Sequence, residues 1–103
     1  MGTITFLFTD LEGSTRLLKE HASAYAGLLD RQRTLIRDAA SSESGIEVDT
    51  AGDALFLVFR SATEAARAAA SAQLTILSED WPEGAALRVR MGLHTGEAVD
   101  ASN

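Results

Sequence analysis

The chain has 103 residues, 46% of them hydrophobic and 23% charged, with no cysteine and a formal net charge of −6. That length suits one domain with a single core, and the composition is ordinary for a globular chain, which sets aside disordered and fibrous classes. Without cysteine there is neither a disulfide framework nor a thiolate metal site. The acidic balance, with Lys and Arg scattered rather than striped, argues against a nucleic-acid surface. It leaves room for an anionic ligand carried by a divalent cation, which reverses the local sign of the field. No apolar run approaches the roughly 18 residues that would span a bilayer, and no basic segment precedes an apolar one at the N-terminus. The expectation is a cytoplasmic chain with no membrane segment.

Taken in order, residues 3–9 read as a first strand, with Ile4, Phe6 and Phe8 on one face and Leu7 among threonines on the other. Both faces are expected to be covered, which makes the strand central. It delivers Asp10 to its end and turns through Gly13 into a short helix, residues 14–20, so one carboxylate sits where free backbone amides converge. A longer helix over residues 23–40 repeats Tyr25, Leu28, Leu29, Gln32, Leu35, Ile36 and Ala39 at helical spacing. Gly45 is expected to end it in a reversal with positive φ. Strand two spans residues 46–50, alternating Ile46 and Val48 against Glu47 and Asp49. A tight turn at Ala51-Gly52-Asp53 leads into strand three, residues 54–59, giving a hairpin. Ser61 and Glu64 form a capping box at the head of an alanine-rich helix reaching Ser78. Strand four covers residues 87–95.

The order β-α-β-β-α-β defines an α+β, ferredoxin-like, palm-like antiparallel sheet with helices on one face. Strand one then lies between strands three and four, and antiparallel to strand three. The C-terminal end of the first strand therefore meets the start of the third, so Asp10 and Asp53 face each other. Two aspartates on neighbouring strand ends, each beside a glycine turn, suit a pair of divalent ions about 3.5–4 Å apart that support in-line phosphoryl transfer.

Three segments carry a family resemblance: Phe8-Thr9-Asp10-Leu11-Glu12-Gly13-Ser14-Thr15, Ala51-Gly52-Asp53, and Arg88-Val89-Arg90-Met91-Gly92-Leu93-His94-Thr95-Gly96-Glu97. In that order and spacing they resemble the class III adenylate/guanylate cyclase catalytic domain, across essentially the whole chain. The resemblance implies cyclisation of ATP or GTP to a 3′,5′-cyclic monophosphate with release of pyrophosphate, using two Mg²⁺ or Mn²⁺ ions. It implies Asp10 and Asp53 as metal ligands, with Leu11 contributing through its backbone. The loop Leu11, Glu12, Gly13, Ser14 and Thr15 is implied as the phosphate contact. A homodimer or heterodimer with another cyclase domain is implied as the assembly.

The chain departs from the family pattern in two ways. Asp49 stands where a base-recognising lysine is common, and an ionised carboxylate cannot donate to a purine acceptor. The family's later segment, with its purine-contacting residue, asparagine and arginine, has no match here, and Asn103 matches none of those positions. Residues 1–103 are thus expected to be a partial catalytic domain, silent or nearly so alone, with no catalytic residue identifiable beyond the metal ligands. Two alternatives stand beside this: a silent regulatory or dimerisation module of cyclase descent, and a haloacid-dehalogenase-like phosphatase, whose nucleophile motif Asp10-Leu11-Glu12-Gly13-Ser14 resembles. An antiparallel sheet would discard the phosphatase.

Other residues read more plainly. Glu12 and Asp49 are solvated, His94 is a strand-end residue, His21 lies at a helix junction, and Arg88 and Arg90 share one face of strand four as solvated salt-bridge formers.

Overall fold

The computed structural model describes residues 2–97 as β1 (Thr3–Leu11), α1 (Ser14–Glu20), α2 (Tyr25–Ser42), β2 (Ile46–Ala51), β3 (Ala54–Phe59), α3 (Ala62–Ser78) and β4 (Val89–Glu97). The sheet order is β2-β3-β1-β4 with every neighbouring pair antiparallel. The expected α+β topology holds, and the antiparallel sheet discards the phosphatase. Asn103 lies outside the described residues. No described helix is long and apolar enough to cross a membrane.

β1 is central, but its two faces differ from expectation. Thr5, Leu7, Thr9 and Leu11 are buried and share the core with Leu55, Leu57 and Phe59 of β3 and with residues of α2 and α3. The opposite face is open, because both long helices lie on the Leu7 side. Phe8 on that open face is 39% exposed. Its ring stacks on Phe6 at 6.0 Å and meets Phe56 edge-on at 5.4 Å, so the aromatics shield one another in place of a helix.

The helices bury the expected stripes. α2 turns Leu28, Gln32, Leu35, Ile36, Ala39 and Ala40 inward, while α3 buries Ile76 and the small residues Ala65, Ala68 and Ala72, which let it approach closely. The Ser61 hydroxyl accepts the Glu64 amide at 3.1 Å, which caps α3. Ser44, not Gly45, takes the positive φ after α2, at 61°. Gly45 is needed for a different reason: a Cβ there would lie 2.6 Å from Phe59 Cζ.

β2 is an edge strand exposed along its whole length, so its apolar residues Ile46 and Val48 are not part of the core. Its pairing with β3 slips between Glu47 and Asp49. Ala51 belongs to the strand and pairs with Ala54, which leaves Gly52 and Asp53 as a two-residue loop with Gly52 at φ 59°. β4 starts later than the apolar alternation suggested. Ala85 and Leu87 are already buried in the preceding connection, where the Trp81 indole N–H donates to the Ile76 carbonyl at 2.9 Å.

Candidate functional site

β1 extends two residues past the expected end, so Asp10 sits within the strand and not at its turn. Alternation puts its side chain on the open face with Phe8, and the β4 register puts Arg90 directly opposite. Arg90 grips both carboxylate oxygens, Nε to Oδ1 at 2.7 Å and Nη2 to Oδ2 at 2.9 Å. The pair is open to water, with Asp10 41% and Arg90 66% exposed in their side chains. Arg90 is held further above the usual arginine range by its hydrogen bond to Asp10, then by Asp10's charge, with Glu12 and Asp53 adding attraction. Asp10 is the one acid in contact with this guanidinium among the described residues.

Asp53 follows Gly52 in the hairpin loop, and continuing the β1–β3 register sets it across from Leu11. Its Oδ2 accepts the Leu11 amide at 3.0 Å. The sheet thus brings Asp10 and Asp53 to one end, as expected, with the second carboxylate fastened to the backbone next to the first. A cleft of about 230 Å³ opens beside them, lined by Phe8, Asp10, Ala54, Phe56, Arg90 and Met91 among others.

After Leu11 the chain turns through Glu12 and Gly13. Gly13 takes φ 66°, a left-handed conformation that costs other residues a clash at Cβ, and from there α1 starts with Leu17 N–H donating to its carbonyl at 2.9 Å. Two amides of the Leu11–Thr15 loop are already engaged: Leu11's by Asp53, and Glu12's by the Arg88 carbonyl at 2.8 Å. The amides of Gly13, Ser14 and Thr15 precede the first intrahelical bond and have no backbone partner among the described residues.

Asp10 and Asp53 carry hard carboxylate oxygens, the donor type Mg²⁺ and Mn²⁺ prefer. Among the described residues no three acidic or histidine side chains converge. The two carboxylates fit ions that complete their coordination with water and phosphate oxygens, as Mg²⁺ commonly does.

The remaining residues fall away from this centre or play other parts. Asp49 is exposed on β2 and accepts the Thr50 amide at 2.8 Å. His94 is exposed on β4 opposite Phe6. His21 Nε2 meets the Gly84 carbonyl at 3.0 Å, joining the end of α1 to the connection before β4. Glu12 and Arg88 line a separate cleft beside α1 with Arg16 and Glu20. Arg90 is the exposed salt-bridge former expected on strand four, with Asp10 as the partner that sequence reading did not name, and sequence reading missed Arg33 of α2, which donates to the Gly52 carbonyl.

Residues 1–101 match the family model of the adenylate and guanylate cyclase catalytic domain. The chain belongs to that family. It is 36% identical over 81 residues to an adenylate cyclase of Schizosaccharomyces pombe, covering 79% of this chain and 5% of that protein. A receptor-type adenylate cyclase of Trypanosoma congolense is 36% identical over 78 residues, covering 76% of this chain and 10% of that protein. Among solved structures, an adenylate cyclase from Trypanosoma brucei in its monomeric state superposes with a TM-score of 0.86 at 27% identity, over 93% of this chain and 57% of that one. The guanylate cyclase domain from Catenaria anguillulae in complex with GTP shares the fold, with a TM-score of 0.81 at 20% identity over 92% of this chain and 57% of that one. The chain therefore spans a small part of the curated relatives and little more than half of the solved domains.

Proposed function

We propose that these residues form the metal-bearing part of a nucleotide cyclase domain that converts ATP or GTP to a 3′,5′-cyclic monophosphate. In that reaction the ribose 3′ oxygen bonds to the α-phosphorus, the bond from that phosphorus to pyrophosphate breaks, and the 3′-hydroxyl proton leaves. Asp10, Asp53 and the Leu11 backbone would hold two Mg²⁺ or Mn²⁺ ions. When bound, such ions lower the cost of ionising the attacking oxygen and neutralise the charge gathering on pyrophosphate. The chain's own part is orientation. Gly13, Ser14 and Thr15 offer amides to phosphate oxygens within the Leu11–Thr15 loop, and Asp53 is kept in place by the Leu11 amide.

The observation that carries this reading is the Leu11–Asp53 hydrogen bond, which joins two acidic motifs distant in sequence at one strand end. Family membership supports the reaction class. A second cyclase domain, identical or related, is the proposed partner, and a structurally similar domain from Blastocladiella emersonii is described as a non-canonical dimeric guanylyl cyclase domain. The bidentate Arg90–Asp10 pair favours one competing reading, a silent regulatory module, since it occupies both oxygens of a metal ligand.

The test mixes this chain with a complete cyclase domain whose own metal aspartates have been replaced, and assays cyclic nucleotide formation with Mn²⁺. Product is expected from the mixture and not from the 103 residues alone, and Asp10→Ala in this chain should remove it. A mixture that yields no product, or product indifferent to Asp10→Ala, would favour the silent module.

A further inference from the structure

α2 reaches over the β2–β3 hairpin with two arginines one helical turn apart, and residues four apart share a helix face. Arg37 pairs with Glu47 near the start of β2, Nε to Oε1 at 2.6 Å and Nη2 to Oε2 at 3.1 Å. Arg33 Nη2 donates to the carbonyl of Gly52, in the turn at the other end of the strand. β2 buries nothing of its own, and its ladder to β3 slips between these two points. Each arginine is thus a tether on a strand that packing does not hold.

The Arg33 tether falls on a particular peptide. The Gly52 carbonyl and the Asp53 nitrogen belong to one planar unit, so fixing that carbonyl fixes the axis from which Asp53 departs. Gly52 itself sits at φ 59°, a conformation open to several backbone orientations when nothing holds it. At the far end of the same residue, the carboxylate accepts the Leu11 amide at 3.0 Å. Asp53 is therefore anchored through its backbone by Arg33 and through its side chain by Leu11. Arg33 Nε is buried and has no partner of its own, which leaves the Gly52 carbonyl as the acceptor for this guanidinium among the described residues.

We infer that Arg33 is a positioning residue for Asp53, setting the turn so that the carboxylate meets Leu11 and presents its other oxygen to a divalent cation. The cation part rests on the reading of Asp53 as a metal ligand. The carboxylate-positioning part does not.

The experiment uses the full chain with Arg33→Ala, Arg33→Lys and Arg37→Ala, each checked for folding by circular dichroism. Free Mn²⁺ is followed by electron paramagnetic resonance during titration, and Leu11 amide exchange is followed by NMR without metal. Arg33→Ala is expected to weaken Mn²⁺ binding about 10–100-fold, the usual cost of losing a group that orients a ligand, and to speed Leu11 exchange. Arg33→Lys keeps one donor for the one carbonyl and should recover most of both. Arg37→Ala cuts the tether to Glu47 and leaves the donor to the Gly52 carbonyl in place, so it should disturb both clearly less than Arg33→Ala does. Equal effects of Arg33→Ala and Arg37→Ala, no effect of Arg33→Ala, or a lysine variant as impaired as the alanine one would overturn the role of Arg33. Failure of the unsubstituted chain to bind Mn²⁺ would overturn the metal reading, and Leu11 exchange would then decide the positioning role by itself.

Discussion

Asp53 Oδ2 lies 3.0 Å from the Leu11 amide nitrogen, across 42 positions of sequence. That bond does two jobs, closing the end of the β1–β3 ladder and aiming a carboxylate. Asp53→Ala leaves a strand-end amide without its acceptor and is expected to cost about 1 kcal/mol. Asp53→Asn keeps an acceptor oxygen and should cost less than half of that loss while still removing the charge a cation needs. Urea unfolding of the two variants separates these effects.

Arg90 and Asp10 hold each other through two hydrogen bonds on the open face. A cation that takes Asp10 must displace the guanidinium, so Arg90→Gln is expected to tighten Mn²⁺ binding in the absence of nucleotide. Because the pair is largely exposed, its removal should barely move the unfolding midpoint. Calorimetric titration of Mn²⁺ into the variant checks the first point, and weaker binding would show that Arg90 is not a competitor.

Acid should loosen the outer hairpin and both ends of α3. Glu47 is held below the usual carboxylate range by its hydrogen bond from Arg37, Glu64 by Arg60, and Glu79 by Arg31. A carboxyl depressed in the folded state contributes stability that is fully present above the unfolded value, about 4.3 for glutamate, and is lost as pH falls through the lower folded value. Stability is therefore expected to be flat in these groups above that range and to fall below it. Arg37→Ala should flatten the part of the fall that belongs to Glu47, read from unfolding curves between neutral and acid pH.

Gln32 is fully buried on α2, and neither atom of its amide has a partner among the described residues. Replacing it with methionine, similar in volume and without the unpaired groups, is expected to add about 1 kcal/mol, or roughly 4–8 °C in a domain of this size. Differential scanning calorimetry measures that directly, and a lower transition temperature would mean the amide is satisfied in solution.

The element order, the helical stripes and the placing of Asp10 and Asp53 at one end of the sheet were legible in sequence because each rests on local periodicity or on topology. Residues 14–20 and 54–59 came out as read, since a glycine turn and a continuous apolar run mark their ends. The open face of β1 was misread for a physical reason: Ile4, Phe6 and Phe8 are as apolar as a core face, and aromatic shielding within a sheet leaves no trace in alternation. Gly45 was assigned the left-handed turn by residue type, whereas the chain needed its missing Cβ against Phe59 and let Ser44 turn instead. Arg90 was placed on the correct strand, but its partner depends on a register that the sequence does not specify one residue at a time. Arg33 lies among charged residues on α2 and has no sequence signal tying it to a turn that lies 19 positions away.

The central claim is that Asp10 and Asp53 together hold divalent ions. Mn²⁺ titration of the full chain, alone and as Asp10→Ala or Asp53→Ala, tests it most directly. Binding in the millimolar range or tighter, lost in both variants while circular dichroism stays unchanged, is the predicted result. Absence of binding to the unsubstituted chain, or binding that survives both substitutions, would contradict it.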